Sequence, residues 1–366
     1  MTPIHTMDFS VYFFSANDHY DFGERYRFIL DVARFIDDHG FTAIWTPERH
    51  FQEFGGSFPN PSVMSAAIAT ITERIQLRAG SVVLPHHHPV RVVEEWSLVD
   101  QLSGGRAGVC LATGWHRGDF VFYPDHYERR REITLDGIET LRALWRGDIV
   151  HCPGPEGQQL EVRTYPRPVQ HELPLWLVHT SNPKTWIAAG SRGLGVLTLL
   201  DSWERLADNI ARYRDARADA GLDPEGGTIT VGLHTFVGDD EDEVRALVRD
   251  PVRAYLTSFI SQKRSDAAVA GSSSTITDEE QELLAAAAAE DFYQRRSLLG
   301  TPDRCELVVR RLAELGVDEI ACLLDFGLPF ETVLTSLPKL DELRSRFAGP
   351  APAQTGAAPM SWYYDR

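Results

Sequence analysis

The chain alternates between short apolar runs and longer stretches in which apolar residues recur at helical spacing. Eight short runs have the β-branched and aromatic composition of strands, and they cover residues 9–14, 41–46, 75–84, 106–112, 173–178, 194–200, 228–237 and 318–326. Helix-like stretches lie between these runs, for example at residues 26–39, 89–102, 128–145, 202–220 and 302–315. Strands that alternate with helices predict parallel strands joined by right-handed crossovers. Eight such strands in order favour a closed (β/α)8 TIM barrel over an open doubly wound sheet.

Three segments interrupt this alternation of strands and helices. Residues 147–172 predict a hairpin-bearing insertion before the fifth strand. Residues 261–290 are polar and small until an alanine run, so we interpret them as a mobile loop, or lid, that leads into a helix. Residues 348–366 are rich in proline and alanine and predict a flexible C-terminal tail. No shift in composition marks a second domain, so residues 1–347 are predicted to form a single barrel domain.

The charge and cysteine content argue against several classes of protein. Acidic residues outnumber basic ones by 53 to 36, and the net charge of −17 leaves no basic patch for nucleic acid or an anionic membrane. No apolar run has the length of a membrane span, and the N-terminus lacks the layout of a signal peptide. The four cysteines, Cys110, Cys152, Cys305 and Cys322, are widely spaced. A disulfide framework is therefore not expected, and a cytoplasmic location is predicted.

Polar clusters follow four consecutive predicted strands. They cover residues 46–56, 84–106, 113–120 and 179–186. In a parallel barrel the active site lies at the C-terminal ends of the strands, so these clusters are expected to share one rim. This arrangement favours an enzyme over a structural protein.

Two of these segments carry a family resemblance. The run GSVVLPHHHPVRVVEEWSLVDQLSGGRAGVCLATGW, residues 80–115, resembles the signature stretch of luciferase-like flavin monooxygenases. WTPERHFQEFGG, residues 45–56, resembles the Glu-His-His-Phe segment that follows the second strand in that family. The resemblance extends over about residues 8–337 and weakens over residues 261–294. It is nearest to the branch associated with nonribosomal peptide and polyketide biosynthesis, and it implies a barrel that binds reduced FMN.

The resemblance implies where the FMN phosphate would bind. In the family the phosphate lies in the loop after the fifth strand, which here offers His179, Thr180, Ser181 and Asn182. Hydroxyl and amide groups at the start of a helix suit a phosphate, because the first-turn N–H groups are unpaired. An ordinary helix cap would explain this pattern equally well. The family also places an arginine from the start of the fourth helix at the phosphate; Arg131 is the best match, Arg130 is second, and a solvated basic helix face is the alternative.

The same resemblance implies a slot for the flavin ring. The ring would pack against Ala79, Gly80 and Ser81 at the end of the third strand, where the family often has a cis peptide bond that does not involve proline. Cys110 and Thr113 from the fourth strand are expected to line the slot. Gly195, on the sixth strand, is expected near the phosphate or the ribityl chain.

Oxygen chemistry requires a pocket that excludes water and controls protons, because reduced flavin adds O2 at its C4a carbon to give a peroxide. Arg49, His50 and His116 are the candidate catalytic residues. Arg49 stands where the luciferases have the first histidine of a pair. Arginine stays protonated, so Arg49 can hold a peroxide but cannot act as a base. This difference argues against light emission and assigns acid–base chemistry to His50 or His116.

The consecutive histidines at residues 86–88 suggest a metal site at first sight. Three consecutive residues cannot all face one ion from a regular element, so no metal site is predicted.

The resulting hypothesis is a two-component monooxygenase. It would receive reduced FMN from a separate NAD(P)H-dependent flavin reductase and would hydroxylate a small or carrier-protein-bound amino or acyl substrate in secondary metabolism. Homodimers are common among such relatives, although no residue pattern here indicates one. The alternatives are a deazaflavin-dependent dehydrogenase on the same barrel and a non-catalytic flavin-binding protein.

Overall fold

The computed structural model describes residues 6–14, 21–52, 55–178, 182–269 and 277–349. In chain order the strands are β1 (Asp8–Tyr12), β2 (Ala43–Thr46), β3 (Gln76–Val83), β4 (Ala107–Ala112), β5 (Val150–Pro153), β6 (Gln159–Val162), β7 (Leu175–Val178), β8 (Gly195–Leu199), β9 (Ile229–Val237), β10 (Leu298–Gly300) and β11 (Glu319–Leu323). Eight of them pair in parallel in the order β1-β2-β3-β4-β7-β8-β9-β11. Since β11 also pairs with β1, the sheet closes. The predicted (β/α)8 barrel is confirmed, and its eight strands are those expected from the sequence.

Helices surround this barrel. They are α1 (Phe22–Asp38), α2 (Pro61–Ala69), α3 (Pro89–Ser103), α4 (Arg130–Arg146), α5 (Pro183–Ser191), α6 (Trp203–Asp219), α7 (Glu241–Val269), α8 (Asp278–Arg295), α9 (Pro302–Glu314) and α10 (Phe330–Ser345). Side chains cap several starts; Asp21, for example, accepts a hydrogen bond from the backbone N–H of Glu24. Gly147 ends α4 in the left-handed conformation that glycine adopts readily. Within the described ranges, every helix is too short or too polar to cross a membrane.

The predicted interruptions have different outcomes. β5 and β6 pair antiparallel, so the hairpin predicted within residues 147–172 is present. The loop predicted from residue 261 is wrong for residues 261–269, which continue α7. Their sequence SQKRSDAAV contains no glycine or proline and several good helix formers, so low hydrophobicity alone does not end the helix. The helix predicted toward the end of residues 261–290 is present as α8. Most of the predicted tail, residues 348–366, lies outside the described residues.

A buried ionic cluster fills the N-terminal end of the barrel. The carboxylate of Glu319 accepts hydrogen bonds from Arg78 at 2.6 Å, from Ser10 at 2.5 Å and from the indole N–H of Trp45 at 3.1 Å. The guanidinium of Arg78 also lies over the rings of Trp45 and Trp176, 4.7 Å and 4.6 Å from their centroids. Because these side chains occupy the interior, the opposite end of the barrel is the one that can form a pocket.

We expect the substitution Arg78→Met to destabilise the protein by about 3–5 kcal/mol, since it leaves the Glu319 carboxylate buried without its cation. Urea unfolding followed by circular dichroism measures this loss. The double variant Arg78→Met/Glu319→Gln removes the stranded charge and should recover part of the stability. Equal losses in the single and double variants would contradict the assigned role of the ion pair.

Candidate active site

The carboxylate of Glu48 joins the loops that follow β2 and β3. Its Oε2 accepts the backbone N–H of Val83 at 2.8 Å. Its Oε1 lies 2.8 Å from Nε2 of His50 and 2.7 Å from Nε2 of His87. The side chain of Glu48 is fully buried, whereas those of His50 and His87 are 9% and 25% exposed. Two histidines from different loops are therefore held by one carboxylate at the barrel rim.

The hydrogen bonds to Glu48 decide its ionisation state. Burial alone would raise the pKa of Glu48, but hydrogen bonds from His50, His87 and the backbone of Val83 outweigh burial and lower the pKa to about 2. Burial likewise opposes the charged form of His87, yet the Glu48 carboxylate raises the pKa of His87 above its usual value. Glu48 and His87 are thus favoured as an ion pair near neutral pH.

His50 contacts Glu48 through one ring nitrogen. Its Nε2 faces Glu48, so Nδ1 is the nitrogen left for proton transfer. The imidazole lies 4.9 Å from the ring of Phe122 and 5.6 Å from the ring of Phe51, and both of these phenylalanines are exposed. His50 therefore stands at an aromatic entrance, as expected for a residue that meets a substrate.

Arg49 lies among aromatic rings next to His50. Its guanidinium lies 4.9 Å from the ring centroid of Phe14 and 5.7 Å from that of Trp115. Burial lowers the pKa of Arg49, and the charge of Asp119 opposes this effect. Arginine starts from so high a pKa that it stays charged. Arg49 therefore supplies a fixed positive charge at the rim.

His116 belongs to a second polar group on the same rim. Its Nε2 lies 2.9 Å from the side-chain nitrogen of Gln52, and its Nδ1 lies 3.3 Å from a carboxylate oxygen of Asp119. Burial raises the pKa of Asp119, although the charges of His116, Arg49 and His50 act against burial. All three candidate catalytic residues thus interact, directly or through Asp119.

The side chain of the arginine predicted for the phosphate contacts the start of α5. Arg131 on α4 donates to Oγ1 of Thr185 at 3.1 Å and to the backbone carbonyl of Lys184 at 3.0 Å. Asn182 caps α5 by accepting the backbone N–H of Lys184 at 3.0 Å. A guanidinium beside a helix N-terminus has the donors that a phosphate monoester needs. The other predicted phosphate residues, His179, Thr180 and Ser181, lie outside the described residues.

The residues predicted to line the ring slot lie at the paired ends of β3 and β4. Gly80 pairs with Cys110, and the peptide bond between Gly80 and Ser81 is cis. The hydroxyl of Tyr12 donates to the carbonyl of Gly80 at 2.7 Å. Of the residues predicted for the slot, Ala79, Gly80 and Cys110 are buried, and Ser81 and Thr113 are partly exposed. Burial raises the pKa of the Cys110 thiol well above its usual value, which argues against a role as nucleophile.

Gly195 does not lie where the sequence analysis expects it. It starts β8 and pairs with Trp176, the second residue of β7, so it lies toward the end of the barrel opposite the rim. A Cβ at this position would collide with the indole of Trp176. Close packing against a large ring therefore explains this glycine, and the expected contact with the phosphate or ribityl chain is not formed by this position.

Several residues of the site have no assigned role in the sequence analysis. Tyr255 on α7 lies 4.3 Å from the ring of His234 and 6.3 Å from the ring of Phe14. Since α7 also contacts the turn Arg117–Val121 after β4, this helix extends over the C-terminal end of the barrel. Glu48 was visible beside Arg49 and His50, but only the fold brings Val83 and His87 to it.

The chain was compared with known families and proteins. The family model for luciferase-like monooxygenase matches residues 7–319. The oxygenase component of flavin-dependent trigonelline monooxygenase from Acinetobacter baylyi is 24% identical over 322 residues, which are 86% of this chain and 88% of that protein. The alkanal monooxygenase alpha chain from Photorhabdus luminescens is 35% identical over 237 residues, or 64% of this chain and 65% of that protein.

Solved structures with the same fold include two monooxygenases and an F420-dependent dehydrogenase. The monooxygenase RslO1 from Streptomyces bottropensis matches with a TM-score of 0.75 and 24% identity, over 93% of this chain and all of that one. The oxygenating constituent of 3,6-diketocamphane monooxygenase from Pseudomonas putida, in complex with FMN, matches with a TM-score of 0.72 and 16% identity, over 92% of this chain and 97% of that one. An F420-dependent secondary alcohol dehydrogenase matches with a TM-score of 0.71 and 17% identity, over 94% of this chain and all of that one.

The ionisation of Glu48 predicts a pH dependence of stability. A carboxyl group whose pKa falls from 4.5 to about 2 on folding contributes about 3 kcal/mol above the higher value, and it loses this contribution as the pH falls toward the lower one. We expect Glu48→Gln to flatten the free energy of unfolding between these two pH values. Urea unfolding at a series of pH values measures the effect, and Glu94→Gln, at a half-exposed residue of α3, is the control. Parallel curves for wild type and Glu48→Gln would refute the assignment.

Proposed function

Because this chain belongs to the luciferase-like monooxygenase family, we propose that it is the oxygenase component of a two-component system that binds reduced FMN. It uses O2 to hydroxylate a small organic or carrier-protein-bound amino or acyl substrate in secondary metabolism. A separate NAD(P)H-dependent reductase supplies the reduced flavin, in line with the name "oxygenase component" of the Acinetobacter baylyi relative. The four free cysteines are compatible with a reducing cytoplasm.

One observation carries this proposal: Arg131 beside the start of α5 and the pair of Glu48 and His50 both lie at the C-terminal ends of barrel strands. Arg131 and the α5 N-terminus would offer a cation and a helix dipole to the phosphate of FMN. The ring would meet the paired ends of β3 and β4, where Ser81 and Thr113 are partly exposed. Bound reduced flavin would supply the electrons for the reduction of O2.

The residues of the rim have separate tasks in this reaction. Arg49 supplies a fixed positive charge, which stabilises negative charge that develops on oxygen. His50, held by Glu48, accepts or donates a proton at Nδ1. His116 is the second candidate for this role, because Gln52 and Asp119 hold its ring. The aromatic side chains and α7 would exclude water.

A deazaflavin-dependent dehydrogenase is the second candidate, because an F420-dependent alcohol dehydrogenase has the same fold. Such an enzyme transfers hydride and consumes no oxygen. An oxygen electrode separates the two functions once the spontaneous oxidation of protein-free reduced FMN is subtracted: the monooxygenase changes O2 consumption when reduced FMN is added anaerobically and air is then admitted. Substrate-dependent hydride transfer to the deazaflavin without O2 uptake would support the dehydrogenase, and binding of FMN without any turnover would support a non-catalytic flavin-binding protein.

We expect Arg131→Ala to weaken FMN binding about tenfold to a hundredfold, because it removes charge-assisted hydrogen bonds worth about 1.5–3 kcal/mol. Isothermal titration with FMN measures the affinity. Arg129→Ala is the matched control, since Arg129 precedes the same helix and pairs with the exposed Glu132. An unchanged affinity in Arg131→Ala, or an equal loss of affinity in Arg129→Ala, would contradict binding of the FMN phosphate at Arg131.

We expect Arg49→Ala and His50→Ala to release hydrogen peroxide about tenfold faster, or more, from protein loaded with reduced FMN and exposed to air, since charge and proton control are lost. Peroxide is followed with a coupled peroxidase assay. Arg34→Ala, at an exposed ion pair on α1, should behave as wild type. Peroxide release at the wild-type rate in both rim variants would exclude Arg49 and His50 from the mechanism.

A further inference from the structure

Two loops bring three potential metal ligands together at the rim. Among the described residues, Glu48, His50 and His86 each offer one ligand atom, and these atoms lie within 4.8 Å of one another. Glu48 and His50 follow β2, and His86 lies in the turn after β3. The absence of a metal was predicted because residues 86–88 cannot all face one ion. That argument does not apply here, because His86 alone of these three histidines joins Glu48 and His50, which come from the loop after β2.

His86 supplies a second and independent observation. Its side chain is 1% exposed, and neither ring nitrogen has a hydrogen-bond partner within the described part of the chain. Its Nδ1 lies 4.0 Å from Oε1 of Glu48, and its ring packs 4.6 Å from that of Phe120. A buried imidazole that lacks hydrogen bonds is costly, and a metal ion at Nδ1 would satisfy it.

The spacing of the three ligand atoms fits a small divalent ion. Bonds of ~2.0–2.2 Å in a tetrahedral site place ligand atoms ~3.4 Å apart. The separations from Oε1 of Glu48, 2.8 Å to His50 and 4.0 Å to His86, bracket this value. All three ligand atoms lie within 4.8 Å of one another, so binding would require the two imidazoles to rotate toward the ion.

Groups around the carboxylate are already arranged as they are in metal sites. Oε2 of Glu48 accepts the N–H of Val83, and Nε2 of His87 lies 2.7 Å from Oε1. Hydrogen bonds of this kind orient ligating carboxylates in metalloproteins. The fourth position of the ion would face the mouth of the barrel, where Phe51 and Phe122 are exposed.

We propose that Glu48, His50 and His86 form an inhibitory Zn²⁺ site at the barrel rim. Two imidazoles and one carboxylate are a donor set that Zn²⁺ favours. Zn²⁺ would draw Nε2 of His50 away from Glu48 and occupy the space next to the reacting groups, so catalysis would stop while the ion is bound. The inhibition rests on the proposed function; the binding of the ion does not.

The test of binding uses Co²⁺ as a spectroscopic substitute for Zn²⁺ on the full chain after treatment with a chelator. We expect one ion per chain, visible absorption typical of tetrahedral Co²⁺, and displacement by Zn²⁺. His86→Gln and His50→Gln should each weaken binding by about a hundredfold or more, since each removes a ligand, whereas the loss of an outer-shell partner costs about 10–100-fold. His88→Gln, at an exposed neighbour, should bind as wild type. Two substituted ligands keep the test valid if one variant does not fold, as judged by circular dichroism.

Failure of wild type to bind Co²⁺ or Zn²⁺ at micromolar concentrations would overturn the site, and so would unchanged binding in both ligand variants. The activity arm is separate: Zn²⁺ should raise hydrogen peroxide release from the reduced-FMN form as His50→Ala does, and a chelator should reverse the effect. Peroxide release that stays at the metal-free rate with Zn²⁺ bound would overturn the inhibitory role. A metal-free protein that does not bind reduced FMN would contradict the proposed function, while the Co²⁺ titration would still decide whether the site exists.

Discussion

The buried carboxylate of Glu48 is the constraint on which the rim depends. A carboxylate without water around it requires donors, and here the chain provides them from the loops after β2 and β3. Satisfying that one group fixes the relative position of the two loops, and with them the orientation of His50. The geometry of His50 is therefore set by an electrostatic requirement of a neighbour that touches no solvent.

The two ends of the barrel divide structural and functional tasks. At the N-terminal end, Arg78 and Glu319 neutralise each other among tryptophans, so the interior is closed by its own side chains. At the C-terminal end, Arg131 lies beside the start of α5, where the proposed function places the phosphate, and the ends of β3 and β4 are where it places the ring. A phosphate ester with a flat ring can use both features at once. This division explains how one fold can support monooxygenases and deazaflavin enzymes, since the rim alone has to change.

The barrel could be predicted because strand-like runs and helical stretches alternate strictly. The prediction of a loop at residues 261–269 is wrong because polarity was taken as a signal, although helix propensity favours α7 there. Arg49, His50 and His116 could be predicted to lie near one another because strand ends share one rim. The expectation for Gly195 overlooked that this residue opens the run 194–200 and so lies at the end of its strand opposite the rim. The role of Glu48 could not be predicted, since Val83 and His87 reach it from β3 and the turn that follows.

The most direct test of the account is a crystal structure of the chain with bound FMN. The account predicts the phosphate within hydrogen-bonding distance of the Arg131 guanidinium and the first turn of α5, with the ring against Gly80 and Ser81 and its reactive edge toward His50. Flavin bound elsewhere on the barrel, or a phosphate that contacts neither Arg131 nor α5, would contradict it.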